Sequence, residues 1–327
     1  MIKKAVLFIS ILLTLLNGRV KLKFVTLAPK SSSWGKCLSA ISGKVYRQSR
    51  RQIRIYVIYG GGGMDEEEMA KEIKYKRIDG GAFTGNGLGF ICPEVRVLEL
   101  PGIFQNYAEV DYVYARIRDE LQQYFHENNA YLLSLSETGW AYFFSKQHVK
   151  DIDDIRNTRM WLWEGDRLAY SIMKNFKIKA RSIKFTEVIP SFQTGMIDGF
   201  YCTPTAAIQL QWYKQVEYML RLKLSDVTGG LVFSKSSWDN LSSSQQKLVT
   251  AIARKELAAL TEANRRSDRE SIALLKQNGI KIVEPQQDMT AFRRMSEAVA
   301  RDLQGTLFPA SLYNKLKKLL HTYRQKQ

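Results

Sequence analysis

From Ser243 to Asn278 the chain contains no proline, and Gly279 closes the stretch. Helix interiors exclude proline and helices favour glycine just past their end, so the stretch reads as one helix or two stacked helices. As a single helix it would reach about 50 Å, more than one small domain can bury. Its first part carries Leu248, Val249, Ile252 and Leu257 and its last part Ile272, Leu274 and Leu275, whereas Thr261 to Glu270 is almost wholly polar. Apolar ends with a polar middle are the pattern of a helix that bridges two lobes.

The rest of the chain supplies those lobes. Lys21 to Ala28 is a β-rich run, Pro29 to Ser33 a loop and Trp34 to Arg50 a helix. Gln52 to Tyr59 is a second strand, in which Ile53, Ile55, Val57 and Tyr59 alternate as a sheet face requires. Gly60 to Gly63 then breaks the chain. Met64 and Asp65 stand where a phosphate loop needs lysine and a hydroxyl residue, so the glycines read as a turn into a helix opened by Asp65 to Glu68. A helix capped by Asn106 and Glu109 repeats Val110, Val113, Tyr114, Ile117, Leu121, Tyr124 and Phe125 on one face. A second alternating set follows: strand Met160 to Trp163, helix Arg167 to Phe176, a strand near Ile183, a helix near Phe192 and strand Phe200 to Cys202. The expected division is 21–145 for the first lobe, 146–229 for the second, 230–242 for the return to the first, 243–279 for the long helix and 280–327 for a C-terminal strand and helices packing on the lobes.

Residues 1–20 read as an export signal or uncleaved leader. Lys3 and Lys4 precede an uncharged apolar run from Ala5 to Leu16, too short to span a bilayer comfortably. No cysteine follows that run to accept a lipid anchor. Cys37, Cys92 and Cys202 are odd in number and widely spaced, so they read as buried thiols. The net charge of +17 raises nucleic acid and anionic membranes as partners, but the basic residues are scattered and no nucleic-acid-binding motif accompanies them, so no nucleic acid partner is expected. His126, His148 and His321 lie far apart, without a triad or metal motif; no enzyme activity, cofactor or metal is expected.

A longer set of motifs occurs in a recognisable order: a serine-rich turn with Trp34, the run Pro93 to Pro101, Gly139-Trp140 before Phe143-Phe144-Ser145-Lys146, then Glu187, and Phe192 to Gly199. In that order they resemble the DctP-type binding proteins of tripartite ATP-independent periplasmic (TRAP) transporters, over nearly the whole chain after the leader. The resemblance implies an α/β, two-lobed periplasmic binding protein of the Venus-flytrap kind. Its lobes would close on a small solute and hand it to a membrane permease. The pattern also resembles the subset associated with tetratricopeptide-repeat proteins, which implies such a protein as a second partner. The tail is amphipathic and basic, with Leu312, Leu316, Leu319, Leu320 and Tyr323 on one side; it reads as packing on its own lobe or as part of that docking.

Two departures bear on the solute. Members of the family are expected to grip a carboxylate with an arginine in the second lobe's first strand, where Trp161 stands here, and with a second basic residue, where Ala141 stands. Aromatic residues gather instead, and the expected ligand-binding set is Trp34, Phe83, Asn86, Glu137, Trp140, Trp161, Tyr201, Gln211 and Trp212. Ser32 and Ser33 are further polar candidates, and Glu137 reads equally as a structural acid. Of Trp161 and Trp163, at least one is expected to face away from the cleft. The expected partner is a hydrophobic or amphipathic solute, an organic acid or a lipid-like molecule; the alternatives are a small polar carboxylate, or an interaction subunit that binds no solute and serves as a scaffold for a membrane assembly.

Overall fold

The computed structural model describes residues 19–286 and 289–327. The apolar run of the expected leader lies outside the described residues, and Val20 already begins the first strand. No helix among the described residues is long and apolar enough to cross a membrane.

The βαβ start forms as its pattern dictates. β1 (Val20–Val25) and β2 (Ile53–Ile58) run parallel on either side of the helix Ser33–Gln48, which turns Leu38, Ile41 and Val45 onto the sheet. β3 (Gly80–Thr84) extends this sheet in parallel on the other edge of β1. β4 (Ala130–Trp140) completes it through β10 (Asp226–Ser234), which lies antiparallel between β3 and β4; the order is β2-β1-β3-β10-β4. Between β2 and β3, Gly60 to Gly63 all take positive φ, from 61° to 88°, a turn that side-chain-bearing residues rarely adopt. Asp65 then caps the helix Glu66–Lys74.

The second sheet takes β5 (Tyr142–Ser145), β6 (Met160–Trp163), β7 (Ala180–Ile183), β8 (Gly199–Cys202), β9 (Tyr218–Leu220) and β11 (Lys281–Val283), in the order β11-β9-β5-β8-β6-β7. The chain therefore changes lobes at Ala141 and returns between 221 and 225, earlier than the expected boundaries at 145/146 and 229/230. Gly139, two residues before Ala141, has a φ of 112° and stands beside a register shift in the pairing of β4 with β10, so the strand is already irregular where it leaves the first sheet. The two crossings bond to each other: the Ala141 amide donates to the Ser225 carbonyl and the Leu224 amide to the Ala141 carbonyl, each at 2.9 Å. This pair of crossings is where a hinge between the lobes would bend.

The proline-free stretch is one helix, Ser243–Gln277, with Ser242 and Gln245 forming a capping box. It packs on β4 and the helix Ser33–Gln48 of the first lobe and on the helix Pro204–Gln209 of the second. Its polar middle has two sides: Glu262, Arg266, Arg269 and Glu270 are exposed, while the opposite side packs on the first lobe. Thr261 bonds Ser136 at 2.9 Å, Asn264 Nδ2 donates to the Glu137 carbonyl at 2.7 Å, and Asp268 is buried. Thr261 and Asn264 are thereby satisfied by β4, whereas Asp268 accepts from the Tyr107 hydroxyl at 3.3 Å and keeps Oδ1 without a partner among the described residues. After β11, the helix Met289–Leu303 lies on Arg167–Phe176, with Phe292 edge-on to Phe176 at 5.7 Å. The basic helix Ala310–Arg324 lies on Tyr107–Glu127, burying Leu312, Leu316 and Leu320 and pairing Arg324 with Glu109 at 2.8 Å. Cys37 and Cys92 are buried and Cys202 is half-buried; all three are free thiols.

Candidate ligand-binding cleft

Between the sheets lies a cavity of about 230 Å³. Its second-lobe wall begins on β6. Residues two apart on a strand share a face, so Trp161 and Trp163 both line the cavity, against the expectation that at least one would turn away. They form one aromatic cluster with Phe185, Tyr201 and Trp212. Trp161 lies 5.5 Å from Trp163, 5.4 Å from Tyr201 and 5.1 Å from Trp212, centroid to centroid, and Phe185 lies 5.1 Å from Trp163 and 5.3 Å from Trp212. The Trp161 indole N–H donates to the Ile183 carbonyl at 2.9 Å, which fixes the ring at the sheet edge. Ala141, at the hinge, also lines the cavity, so both positions where the resemblance leads one to expect a cation carry uncharged side chains on the cavity wall.

The first-lobe wall is different in kind. Trp34 and Phe83 line it, but so do the buried polar residues Glu66, Asn86, Arg96 and Glu99. Arg96 is the one basic side chain among the described residues of the lining, and it is already paired with two carboxylates. It donates to both Asp166 oxygens, at 2.8 and 2.9 Å, and to Glu99. Asp166 belongs to the second lobe, where it caps the helix Arg167–Phe176, so this ion pair ties the lobes together across the cleft. A second tie joins the Trp163 indole N–H to the Asp65 carboxylate at 3.1 Å, with the Phe185 amide donating to the same carboxylate at 3.2 Å.

The acids of this wall are held with their acceptors filled. Glu66 receives the Thr84 amide at 2.7 Å, the Thr84 hydroxyl at 2.5 Å and the Gly87 amide at 2.8 Å. Glu99 receives the Thr228 amide at 2.7 Å as well as Arg96. Burial nevertheless dominates and pushes both carboxyls up to about 7. Two donors are in the opposite condition: Asn86 Nδ2 and Trp34 Nε1 are buried with no hydrogen-bond partner among the described residues.

Of the expected set, Trp34, Phe83, Asn86, Trp161, Tyr201 and Trp212 line the cavity, and Glu137, Trp140 and Gln211 do not. Glu137 is buried under the long helix, paired with Arg265, which also clasps Asp111 at 2.9 and 2.7 Å; it is a structural acid. Trp140 packs on Tyr107 at 5.5 Å with the Lys223 ammonium 4.5 Å over its ring, since it ends β4 on the side away from the cavity. Gln211 is exposed, in a left-handed turn (φ 58°), and accepts from Lys214. Ser32 caps the helix Ser33–Gln48, and Ser33 receives Gln209 Nε2 at 3.4 Å across the cleft. The sequence reading missed Glu66, Arg96, Glu99 and Asp166. For Arg96 and Glu99 the signal was charge embedded in the apolar run Pro93-Glu94-Val95-Arg96-Val97-Leu98-Glu99, where a buried ion pair is the means of keeping such residues inside; Glu66, in the acidic run Asp65 to Glu68, and Asp166, between Gly165 and Arg167, carry no such signal.

The same two-lobed architecture occurs in known proteins. A TRAP periplasmic solute binding protein from Sulfitobacter sp. NAS-14.1, with bound β-D-galacturonate, superposes with a TM-score of 0.83 at 16% identity, over 93% of this chain and 99% of that one. One from Desulfovibrio salexigens, with bound orotic acid, gives 0.85 at 14% identity over 94% and 99%. A Bordetella pertussis extracytoplasmic solute receptor binding pyroglutamic acid gives 0.85 at 15% identity over 92% and 99%. No curated protein sequence matches this one. Residues 24–305, which include every strand from β2 to β11, both lobe crossings and the whole of the cavity wall, match the family as such, and the chain therefore belongs to the DctP family, the bacterial extracellular solute-binding proteins of family 7.

Proposed function

We propose that this protein is the extracytoplasmic binding component of a TRAP-type secondary transporter. It takes a hydrophobic or amphipathic solute, an organic acid or a lipid-like molecule, into the interlobe cavity and delivers it to a membrane permease. The supporting observation is the inventory of the cavity wall: five clustered aromatic rings on one side, and a sole arginine already spent on two carboxylates. A pocket of that composition gains affinity by burying apolar surface rather than by ion pairing. Trp34, Phe83, Trp161, Tyr201 and Trp212 are the contact surface for the apolar body, and Asn86 is a polar contact. Solute binding stabilises the closed lobes by its differential affinity for that form. A tetratricopeptide-repeat protein in the periplasm is proposed as a further partner, on the resemblance to the repeat-protein-associated subset alone.

A small polar carboxylate is the second reading, favoured by the acids bound in the similar structures. Here such a ligand has to displace Asp166 or Glu99 from Arg96. Equilibrium dialysis of the purified protein against mixed solutes, read by mass spectrometry, separates the two. Retention of apolar or amphipathic molecules is expected; retention of small dicarboxylates or sugar acids alone would sink the aromatic-cleft reading.

A further inference from the structure

We propose that the solute carries an uncharged hydrogen-bond acceptor oxygen, of the ester, amide or ketone class, which is received by Asn86 Nδ2 and Trp34 Nε1 while the rest of the molecule lies on the aromatic wall. This rests on the interlobe cavity being the solute site. Donors and acceptors on the cavity wall are out of balance. The carboxylates of Glu66, Glu99 and Asp166 already accept from backbone amides, Thr84 and Arg96, so the wall has little use for a donor from the ligand. Asn86 Nδ2 and Trp34 Nε1 are buried donors lacking an acceptor among the described residues, a condition native proteins seldom leave uncorrected. An oxygen with free lone pairs corrects it.

The position of the Trp34 donor is fixed by packing. Its ring lies against β10 at Gly229, where an added Cβ would come within 2.7 Å of the ring carbon Cζ2. Only glycine admits the indole there. Asn86 is held on the short helix after β3 and is 6% exposed. The acceptor is uncharged because a carboxylate would enter a wall that already holds three acids against one arginine. Neutral N–H donors satisfy a carbonyl without demanding a charge, and buried charge without a free counter-ion is strongly disfavoured. An ammonium fails for the complementary reason: it offers donors to a wall whose own donors are unmet.

The test uses matched probes at pH 8, titrated into the full-length protein by calorimetry: methyl 1-naphthylacetate, 1-naphthylacetate and 1-ethylnaphthalene, with methyl decanoate and decanoate as a second shape. In the wild type the ester is expected to bind at least about tenfold more tightly than the carboxylate of the same shape. Asn86→Leu and Trp34→Phe are each expected to weaken the ester about five- to thirtyfold more than they weaken the hydrocarbon, whose continued binding shows that the cavity persists. Carboxylates binding as tightly as their esters, or ester affinity unchanged in both variants, would overturn the proposal and leave the apolar cavity standing. Failure of both ester and hydrocarbon to bind the wild type would overturn the solute-site reading, and the proposal with it.

Discussion

The two walls of the cleft are built on opposite principles. The second-lobe wall is a stack of rings from β6, β8 and the turns after β7 and before β9, and its cohesion is apolar contact. The first-lobe wall is a set of buried charges and amides after β2 and β3 and in the run Pro93–Glu99, and its cohesion is hydrogen bonding. Apolar contact is tolerant of ligand shape and indifferent to pH, whereas a buried polar network is neither. On the function proposed above, the second lobe would hold the body of a solute and the first lobe would read its polar end. The lobes meet through Arg96 and Asp166, an ion pair that belongs to the polar wall.

The sharpest way to break that contrast is to remove one pillar from each wall. Trp161→Ala empties the centre of the aromatic cluster, where the side chain is 2% exposed, and is expected to cost about 3–5 kcal/mol in urea unfolding at any pH between 5 and 8. Arg96→Met is expected to cost about 3 kcal/mol at pH 8, because Glu99 and Asp166 lose their counter-ion. The cost is expected to shrink at pH 5, where Glu99 is protonated. A penalty independent of pH would show that Arg96 acts by packing alone.

The intact protein should show the polar wall's pH dependence directly. Burial raises Glu66 and Glu99 from the usual carboxylate range to about 7, so the folded state holds protons that the unfolded chain has released. Stability from these groups is fully present below about pH 4.5 and is lost as pH rises through about 7. Asp226 moves in the same direction, being fully buried at the start of β10 with both oxygens unpartnered among the described residues. Unfolding free energies measured from pH 5 to 8 are expected to fall, by about 1–3 kcal/mol after the exposed carboxylates have offset part of the change. A rise over that range would place these acids in ordinary, ionised surroundings.

Smaller effects are expected outside the cavity. Glu137→Gln weakens the bond to Arg265 under the long helix and is expected to cost about 1–2 kcal/mol of stability with no change in solute affinity. Gln211→Ala, at an exposed turn, is expected to stay within about 0.5 kcal/mol of the wild type and to bind equally well. A loss of affinity in either would extend the site beyond the cavity.

How legible the molecule was in its sequence divides along the same line. Element by element, the fold could be read from pattern, because the helix Arg167–Phe176 carries the helical period and β6 is a short, continuous apolar run buried at all four positions. The aromatic wall could be read too: Trp161, Tyr201 and Trp212 are large, scarce residues whose side chains have few other places to go. The polar wall could not. Whether an acid such as Glu66 or Glu137 faces a ligand or an arginine depends on partners distant in sequence, and the pairing of Arg265 with Glu137 has no local signature. The lobe crossing at Ala141 has its local mark in Gly139, whose φ is 112° beside a bulge in β4, but a single glycine inside a strand does not say which sheet the next residues join.

The central claim, that the solute is held by the aromatic wall without a cationic anchor, is tested most directly by a crystal structure of the protein with the solute that dialysis and mass spectrometry identify. The predicted result is apolar density against Trp161, Trp163, Tyr201 and Trp212, with the Arg96 guanidinium still bonded to both oxygens of Asp166. An anionic group of the solute seated on Arg96, with Asp166 displaced, would contradict it.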